Sequence, residues 1–143
     1  MTQLKELRYL HLGSGASVQD IGPITVLKNL TALSIENFQK INDYSCLTAL
    51  SNLESLAIEG DGFSPKYIHI DSLSFLNELP LLRFLRLLTI RLNDKDYTPI
   101  LNLKNLEHLT LLGSKEVKEK YSELIKLPNL KYGLLTERPD IYN

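Results

Sequence analysis

One apolar pattern recurs along the chain and restricts its fold more than any other feature. The pattern is Leu-x-x-Leu-x-x-Leu-x-Leu, and its third position falls at residues 10, 33, 56, 85, 109 and, more weakly as glycine, 133. These positions are 23, 23, 29, 24 and 24 residues apart. A repeat of this length is typical of a solenoid, in which each turn buries its leucines against the next turn. The chain is therefore predicted to stack about six turns, one of which carries an insertion.

A second marker recurs in phase with the leucines. Four segments that precede a strand by the same interval open with a residue suited to capping a helix N-terminus: Asp20, Asp43, Ser72 and Asp96. Pro23 and Pro99 fall in the first turn after two of these residues, where a missing N–H donor does no harm. A short helix is therefore predicted on the outer side of each turn. The last turn has Lys120 at the capping position, so the start of its helix is left open.

The pattern resembles that of the bacterial leucine-rich repeat family, especially its internalin-like class, over residues 4–135. The resemblance implies an α/β fold: a right-handed superhelix with parallel strands on the concave face and short helices on the convex face. A single domain, 1–143, is expected, with an insertion at 60–70. Its strands are expected near residues 8–12, 31–35, 54–58, 83–87, 107–111 and 131–135.

The sequence departs from the family in one column. Many family members stack asparagines just after the strand, whereas Asn37 here shares its column with Gly60, Thr89 and Gly113. We therefore expect no asparagine ladder, and the backbone of these turns must be satisfied in another way.

The concave surface is the predicted contact surface for a protein partner. Alternate strand side chains face away from the core, and in the later strands these are apolar or aromatic, around an arginine and a histidine. Such a composition is typical of protein-binding hot spots. The alternative is that the C-terminal tail covers Leu112 and Leu134, or that scattered surface leucines have no role. The residues predicted to bind the partner are Phe84, Arg86, Leu88, His108, Leu112, Tyr132 and Leu134, together with Tyr9 and His11 on the first strand.

The insertion at 60–70 is a second candidate for binding. Glycines and a proline indicate turns, and Phe63 and Tyr67 place aromatic rings in the loop. The alternative is a tolerated insertion whose aromatic rings fold back over the core.

The sequence offers little for catalysis. His11 and His108 are predicted on the first and fifth strands, roughly 19 Å apart at about 4.8 Å per strand, so they cannot share a metal ion. Cys46 lies in a predicted convex segment without a neighbouring base. Glu36 and Glu59 on adjacent strands are the only basis for an acid pair. We predict no enzymatic activity, no cofactor and no metal.

Charge and composition exclude other classes. The formal net charge of -1 provides no field for a nucleic-acid backbone or an anionic membrane. No signal peptide and no apolar stretch of roughly 20 residues occurs. One cysteine fits a reducing compartment, so a cytoplasmic location is expected.

The two ends of the solenoid are expected to differ. Residues 136–140 are charged and contain a proline, and can close the last edge, whereas Leu4 and Leu7 enter the repeat at once. The chain is therefore expected either to be a fragment of a longer repeat protein or to pack its first turn against a partner or a second copy. The leading function is a non-enzymatic protein-protein interaction module. An immunity or inhibitor protein with one cognate target, and a structural repeat segment of a larger receptor or effector, are the alternatives.

Overall fold

The computed structural model describes residues 5–61 and 66–143. In this part of the chain, the strands are β1 (Tyr9–Leu12), β2 (Ala32–Glu36), β3 (Ser55–Glu59), β4 (Ile68–Ile70), β5 (Phe84–Leu88), β6 (Ile90–Leu92) and β7 (His108–Leu111). Five of them form one sheet in the order β1-β2-β3-β5-β7, and every pair is parallel. The predicted α/β repeat solenoid with a parallel sheet is thus confirmed.

The register of the sheet explains the leucine period. Leu33, Leu56, Leu85 and Leu109 are directly opposite one another on successive strands, and all are at most 2% exposed. Because each turn places the same apolar position at the same height, neighbouring turns bury one continuous stack of side chains. This core fixes the direction of the residues between the leucines, which therefore lie on the concave surface.

Short helices lie on the opposite side of the turns, and four of them are 3-10 helices. They span Gly22–Val26, Ser45–Ala49, Ser74–Glu78 and Thr98–Asn102. The predicted capping side chains lie two residues before these helices and accept the N–H of the first helical residue, as Asp43 does from Ser45 over 2.8 Å. In the last turn Ser114, and not Lys120, caps the α-helix α1 (Lys115–Leu124) by accepting from Val117 N.

The last three residues of the insertion form a strand and not a loop. β4 pairs in parallel with β6, which follows directly after β5, so a second sheet of two strands lies beside the main one. Ile68 and Ile70 are fully buried, which explains why this segment is extended and packed. Tyr67 is half-buried at the start of this strand, while Phe63 lies outside the described residues.

The prediction of a sixth strand at 131–135 is wrong. Only an isolated bridge pairs His108 with Tyr132, and the chain then turns into the helix α2 (Leu134–Glu137). The physical reason lies at Gly133, whose φ of 98° is incompatible with a strand, and the Glu137 side chain accepts its N–H over 2.7 Å. A 3-10 helix at Pro139–Tyr142 follows and, with α1 and α2, covers the last turn.

An asparagine ladder is present, in a column that the sequence analysis did not consider. The side-chain amides of Asn29, Asn52, Asn105 and Asn129 each donate to a main-chain carbonyl of the preceding turn, over 2.7 to 3.1 Å. The expectation of no ladder holds only for the column of Asn37. There the backbone itself bonds between turns, since Asn37 N donates to Glu59 O over 2.8 Å.

Candidate protein-binding surface

A stacked aromatic pair occupies the centre of the predicted contact surface. Phe84 on β5 and His108 on β7 are opposite each other in the sheet, and their rings stack at 4.2 Å between centroids with an interplanar angle of 16°. Both side chains are half-buried. Parallel pairing thus brings together two residues that are 24 positions apart in the sequence and builds from them one partly exposed aromatic platform.

Arg86 lies beside this platform and is fixed by an ion pair. Its Nε is 2.5 Å from Oε1 of Glu59, and the two side chains are 45% and 21% exposed. Glu59 therefore holds the Arg86 guanidinium in place. The remaining N–H groups of Arg86 are available to a ligand. Glu36, opposite Glu59 on the neighbouring strand, lies 3.8 Å from His11 Nε2 through its Oε2.

The His108 ring is held in position by the Thr110 side chain. The Thr110 hydroxyl is 2.9 Å from His108 Nε2 and also accepts the N–H of Leu134 over 3.2 Å. Partial burial lowers the pKa of His108, the Arg86 charge lowers it further, and Glu137 opposes them. The neutral imidazole is thus the favoured form on this surface.

Two large side chains project beside the platform. Tyr132 is 57% exposed and Leu112 is 43% exposed. Leu112, which the alternative interpretation placed under the C-terminal tail, is therefore exposed. Tyr132 is bridged to His108 in the sheet and therefore lies next to the stacked pair, while Leu112 follows the end of β7.

The remaining predicted contact residues do not all join this patch. Leu88, at the end of β5, is half-buried. Leu134 lies in α2 and packs partly against the core, so it is not a strand residue on the concave face. Tyr9 and His11 are on β1, four strand positions from β7, where Tyr9 is 73% exposed and His11 lies 3.8 Å from Glu36.

The structure brings Tyr67 from the insertion and Arg91 from β6 together beyond the end of β5, and the sequence analysis missed Arg91. The guanidinium carbon of Arg91 lies 4.3 Å above the Tyr67 ring centroid. The alternation of Ile90, Arg91 and Leu92 is the signal that could have revealed β6, but it lies outside the leucine period.

The cysteine has an environment unsuited to nucleophilic chemistry. Cys46 is half-buried in the second 3-10 helix, and burial raises the pKa of its thiol, with the Asp43 and Asp20 carboxylates adding to the effect. A raised pKa keeps the thiol protonated and weakly reactive. Across residues 5–61 and 66–143, no group of three or more His, Cys, Asp or Glu side chains is placed to hold a metal ion. Within the same residues no helix has the length and apolar character to cross a bilayer.

The repeat, the stacked turns and the parallel concave sheet define a leucine-rich repeat fold. Internalin C2 from Listeria monocytogenes is similar to this chain at 26% sequence identity and a TM-score of 0.61, covering 91% of this chain and 52% of the other. The leucine-rich repeat ectodomain of the receptor kinase SOBIR1 from Arabidopsis thaliana is 21% identical with a TM-score of 0.61, covering 87% of this chain and 65% of that one.

A leucine-rich repeat protein of Leptospira interrogans, LIC12759, shares the fold at 22% identity and a TM-score of 0.54, covering 91% of this chain and 38% of its own. The resemblance to bacterial leucine-rich repeat proteins inferred from the sequence is thus confirmed. The chain spans about half of the internalin C2 chain. No family model and no curated protein matches it. Solenoids of this kind in general present an extended concave surface for recognising other proteins.

Proposed function

We propose that this chain is a non-enzymatic module that binds a protein partner through its concave face. The contact centre is the aromatic patch formed by Phe84, His108, Leu112 and Tyr132, with Arg86 at its side. Leu88 and Leu134 border the patch as partly buried supports, and Tyr9 and His11 extend the surface toward β1 for a partner large enough to span the sheet.

The observation that carries this proposal is the rigid Phe84–His108 stack with exposed apolar neighbours. The ring pair is fixed on two strands at 4.2 Å, and Tyr132 beside it is 57% exposed. Aromatic residues and arginine held rigidly lose little conformational entropy when a partner covers them. β2 and β3 have small side chains such as Ala32 and Ser55, which offer less area to a partner.

The test is affinity capture from the cell of origin, with wild type beside the double variant Phe84→Ala, Arg86→Glu. A protein that binds the patch should be captured by wild type in a one-to-one ratio, and it should be lost with the double variant. Ser34→Ala, on the same concave face but outside the patch, is the matched control and should capture as wild type does. Thermal melting of each variant verifies folding. Equal capture by wild type and a folded double variant would place the partner elsewhere.

The identity of the captured protein also distinguishes the two alternative functions, an inhibitor or immunity protein and a structural repeat segment. A single stoichiometric partner that is an enzyme or a toxin, and that loses activity on binding, indicates an inhibitor or immunity protein. A partner belonging to a larger receptor assembly indicates a structural repeat segment instead.

Self-association through the first turn is a further part of the proposal. Among the described residues β1 has a strand neighbour on one side only, and Leu7, Leu10 and Leu12 are half-buried. A mass that rises with concentration, together with slower amide exchange in residues 9–12 at high concentration, is expected for a dimer formed there. A monomer mass that does not change with concentration would exclude self-association through the first turn.

A further inference from the structure

A second surface lies between β6 and the start of α1, and it shares Leu112 with the concave patch. It is a groove of about 500 Å³. Leu87, Leu111 and Tyr97 contribute buried side chains to it, and Arg91 and Lys95 stand on its β6 side. The volume falls within the range of sites that bind small ligands or short peptide segments.

One wall of the groove is the open edge of the small sheet. β6 pairs with β4 alone among the described residues. Thr89 O accepts the N–H of Ile68 over 3.0 Å, and Asn93 N donates to Ile70 O over 2.8 Å, so these groups face β4. Because successive residues of a strand direct their backbone groups to opposite edges, those of Ile90 and the N–H of Leu92 face the groove.

The two outer edges of this small sheet are in different environments. On the β4 side, the preceding turn bonds to the insertion, with Asp71 N donating to Asn42 O over 2.9 Å and Gln39 Nε2 to Lys66 O over 3.1 Å. On the β6 side, the following turn passes through Gly113 and Ser114 into α1 and supplies no strand. The groove therefore lies where the next strand of the small sheet would stand.

The charges of the groove favour an acidic ligand. Within the described residues, Arg91 and Lys95 form no ion pair, and the Arg91 guanidinium lies over the Tyr67 ring. Glu116 is the acidic side chain among the described residues that line the groove. Two cations against one anion, over an apolar floor, fit an extended segment with a carboxylate on the β6 side and an apolar side chain toward the floor.

We propose that this groove binds an extended, acidic segment of a partner protein by β-strand addition to β6. The main chain of the segment bonds to the Ile90 and Leu92 backbone, and its carboxylate pairs with Arg91 and Lys95. Strand addition to an exposed edge takes its affinity from main-chain hydrogen bonds and its specificity from alternate side chains. The proposal goes beyond the concave-face function and does not depend on it.

The probe is a library of linear ten-residue peptides displayed on phage, selected on the whole chain. Enriched peptides should carry Asp or Glu among β-branched residues. Their synthetic versions should bind wild type at least tenfold more tightly than Arg91→Glu, Lys95→Glu. Lys104→Glu makes the same kind of charge change outside the groove, and Phe84→Ala, Arg86→Glu alters the concave patch. Both should bind within twofold of wild type. Melting temperatures show whether the groove variant folds.

Two further measurements test the backbone pairing itself. Hydrogen exchange at the Ile90 and Leu92 amides should slow at least tenfold on peptide binding. Methylating alternate amide nitrogens of the peptide should abolish binding for one alternating set and leave the other set unaffected. The proposal is overturned if no acidic peptide is enriched, if affinity is equal for wild type and a folded groove variant, or if both methylated sets bind alike. Loss of binding with the Phe84→Ala, Arg86→Glu variant alone would assign the peptides to the concave face.

Discussion

The Tyr142 hydroxyl donates a buried hydrogen bond of 2.6 Å to the main-chain carbonyl of Leu111, 31 residues earlier in the sequence. Leu111 ends β7, and Tyr142 also stacks on Tyr121 at 5.2 Å between ring centroids. The C-terminal residues are thus fastened to the last strand of the sheet by a specific polar contact. Burial raises the pKa of Tyr142 to about 12, so the hydroxyl keeps its proton at neutral pH.

Tyr142→Phe should therefore destabilise the protein by about 1–2 kcal/mol, because the Leu111 carbonyl loses a buried partner. The free energy of unfolding from urea titration measures the loss. Tyr44→Phe is the matched comparison, since the Tyr44 hydroxyl is buried and has no hydrogen-bond partner among the described residues. Removing that hydroxyl should leave stability unchanged or raise it by up to about 1 kcal/mol. Equal losses for the two variants would contradict the role given to the Leu111 bond.

The asparagine ladder has a gap at Leu81, and filling it should stabilise the protein. Leu81 occupies the ladder column between Asn52 and Asn105, and its side chain is 45% exposed. The register of the strands on either side continues through this turn, since Arg83 N donates to Glu54 O over 2.8 Å. An asparagine at 81 can therefore reach the Ser51 carbonyl, as the other members reach theirs.

Leu81→Asn is expected to gain about 0.5–1 kcal/mol, the net value of one hydrogen bond at a partly exposed site. Leu81→Ser, which is polar but too short to bridge the turns, serves as the control and should gain nothing. Chemical denaturation of the three proteins side by side checks the ranking. A serine variant as stable as the asparagine variant would rule out the bond as the cause.

The leucine period predicted the concave sheet because burial repeats once per turn and strand register follows from it. The sequence alone was sufficient to place Leu33, Leu56 and Leu85 at the same position of successive turns. The outward direction of Phe84 and His108 was predictable to the same extent, since it follows from the leucines beside them. Their ring stacking, in contrast, depends on rotamers that period alone does not specify.

What the period could not predict lies where a single residue overrides it. Gly133 occupies a leucine position, and its positive φ turns the chain out of the sheet. β4 and β6 pair outside the repeat, and their signal is only three residues long in each strand. The ladder at Asn29 and its equivalents was visible in the sequence, but these asparagines precede the strand, and the family resemblance implied a ladder only after it.

Gly133 is required by its backbone and by its neighbour. Its φ is 98°, and a Cβ atom placed there would lie 2.3 Å from the Leu109 carbonyl oxygen. Gly133→Ala should therefore destabilise the chain by about 2–3 kcal/mol, combining backbone strain with displacement of the last turn. Gly22→Ala is a milder control, because the added Cβ would approach only Asp20 Oδ1, at 3.0 Å. Urea unfolding should show a small effect for Gly22→Ala, and a loss as large as that of Gly133→Ala would contradict the argument.

His108 should make stability depend on pH between about 7 and 5. Burial lowers its pKa in the folded chain below the ordinary value of about 6.5, so folding favours the neutral ring. The neutral form also lets Nε2 accept the Thr110 hydroxyl hydrogen, while that hydroxyl accepts from Leu134 N. The contribution of this group is therefore fully present above about pH 6.5 and is lost as the pH falls through the lower, folded-state pKa. Asp43 and Asp96 also have lowered pKa values, but the stability that such carboxylates contribute is lost only below about pH 4.

The unfolding free energy should therefore fall more between pH 7 and pH 5 for wild type than for His108→Gln. The glutamine amide can accept the same hydroxyl hydrogen bond without gaining a proton. An identical fall in both proteins would show that the imidazole on the concave face does not sense pH in this range.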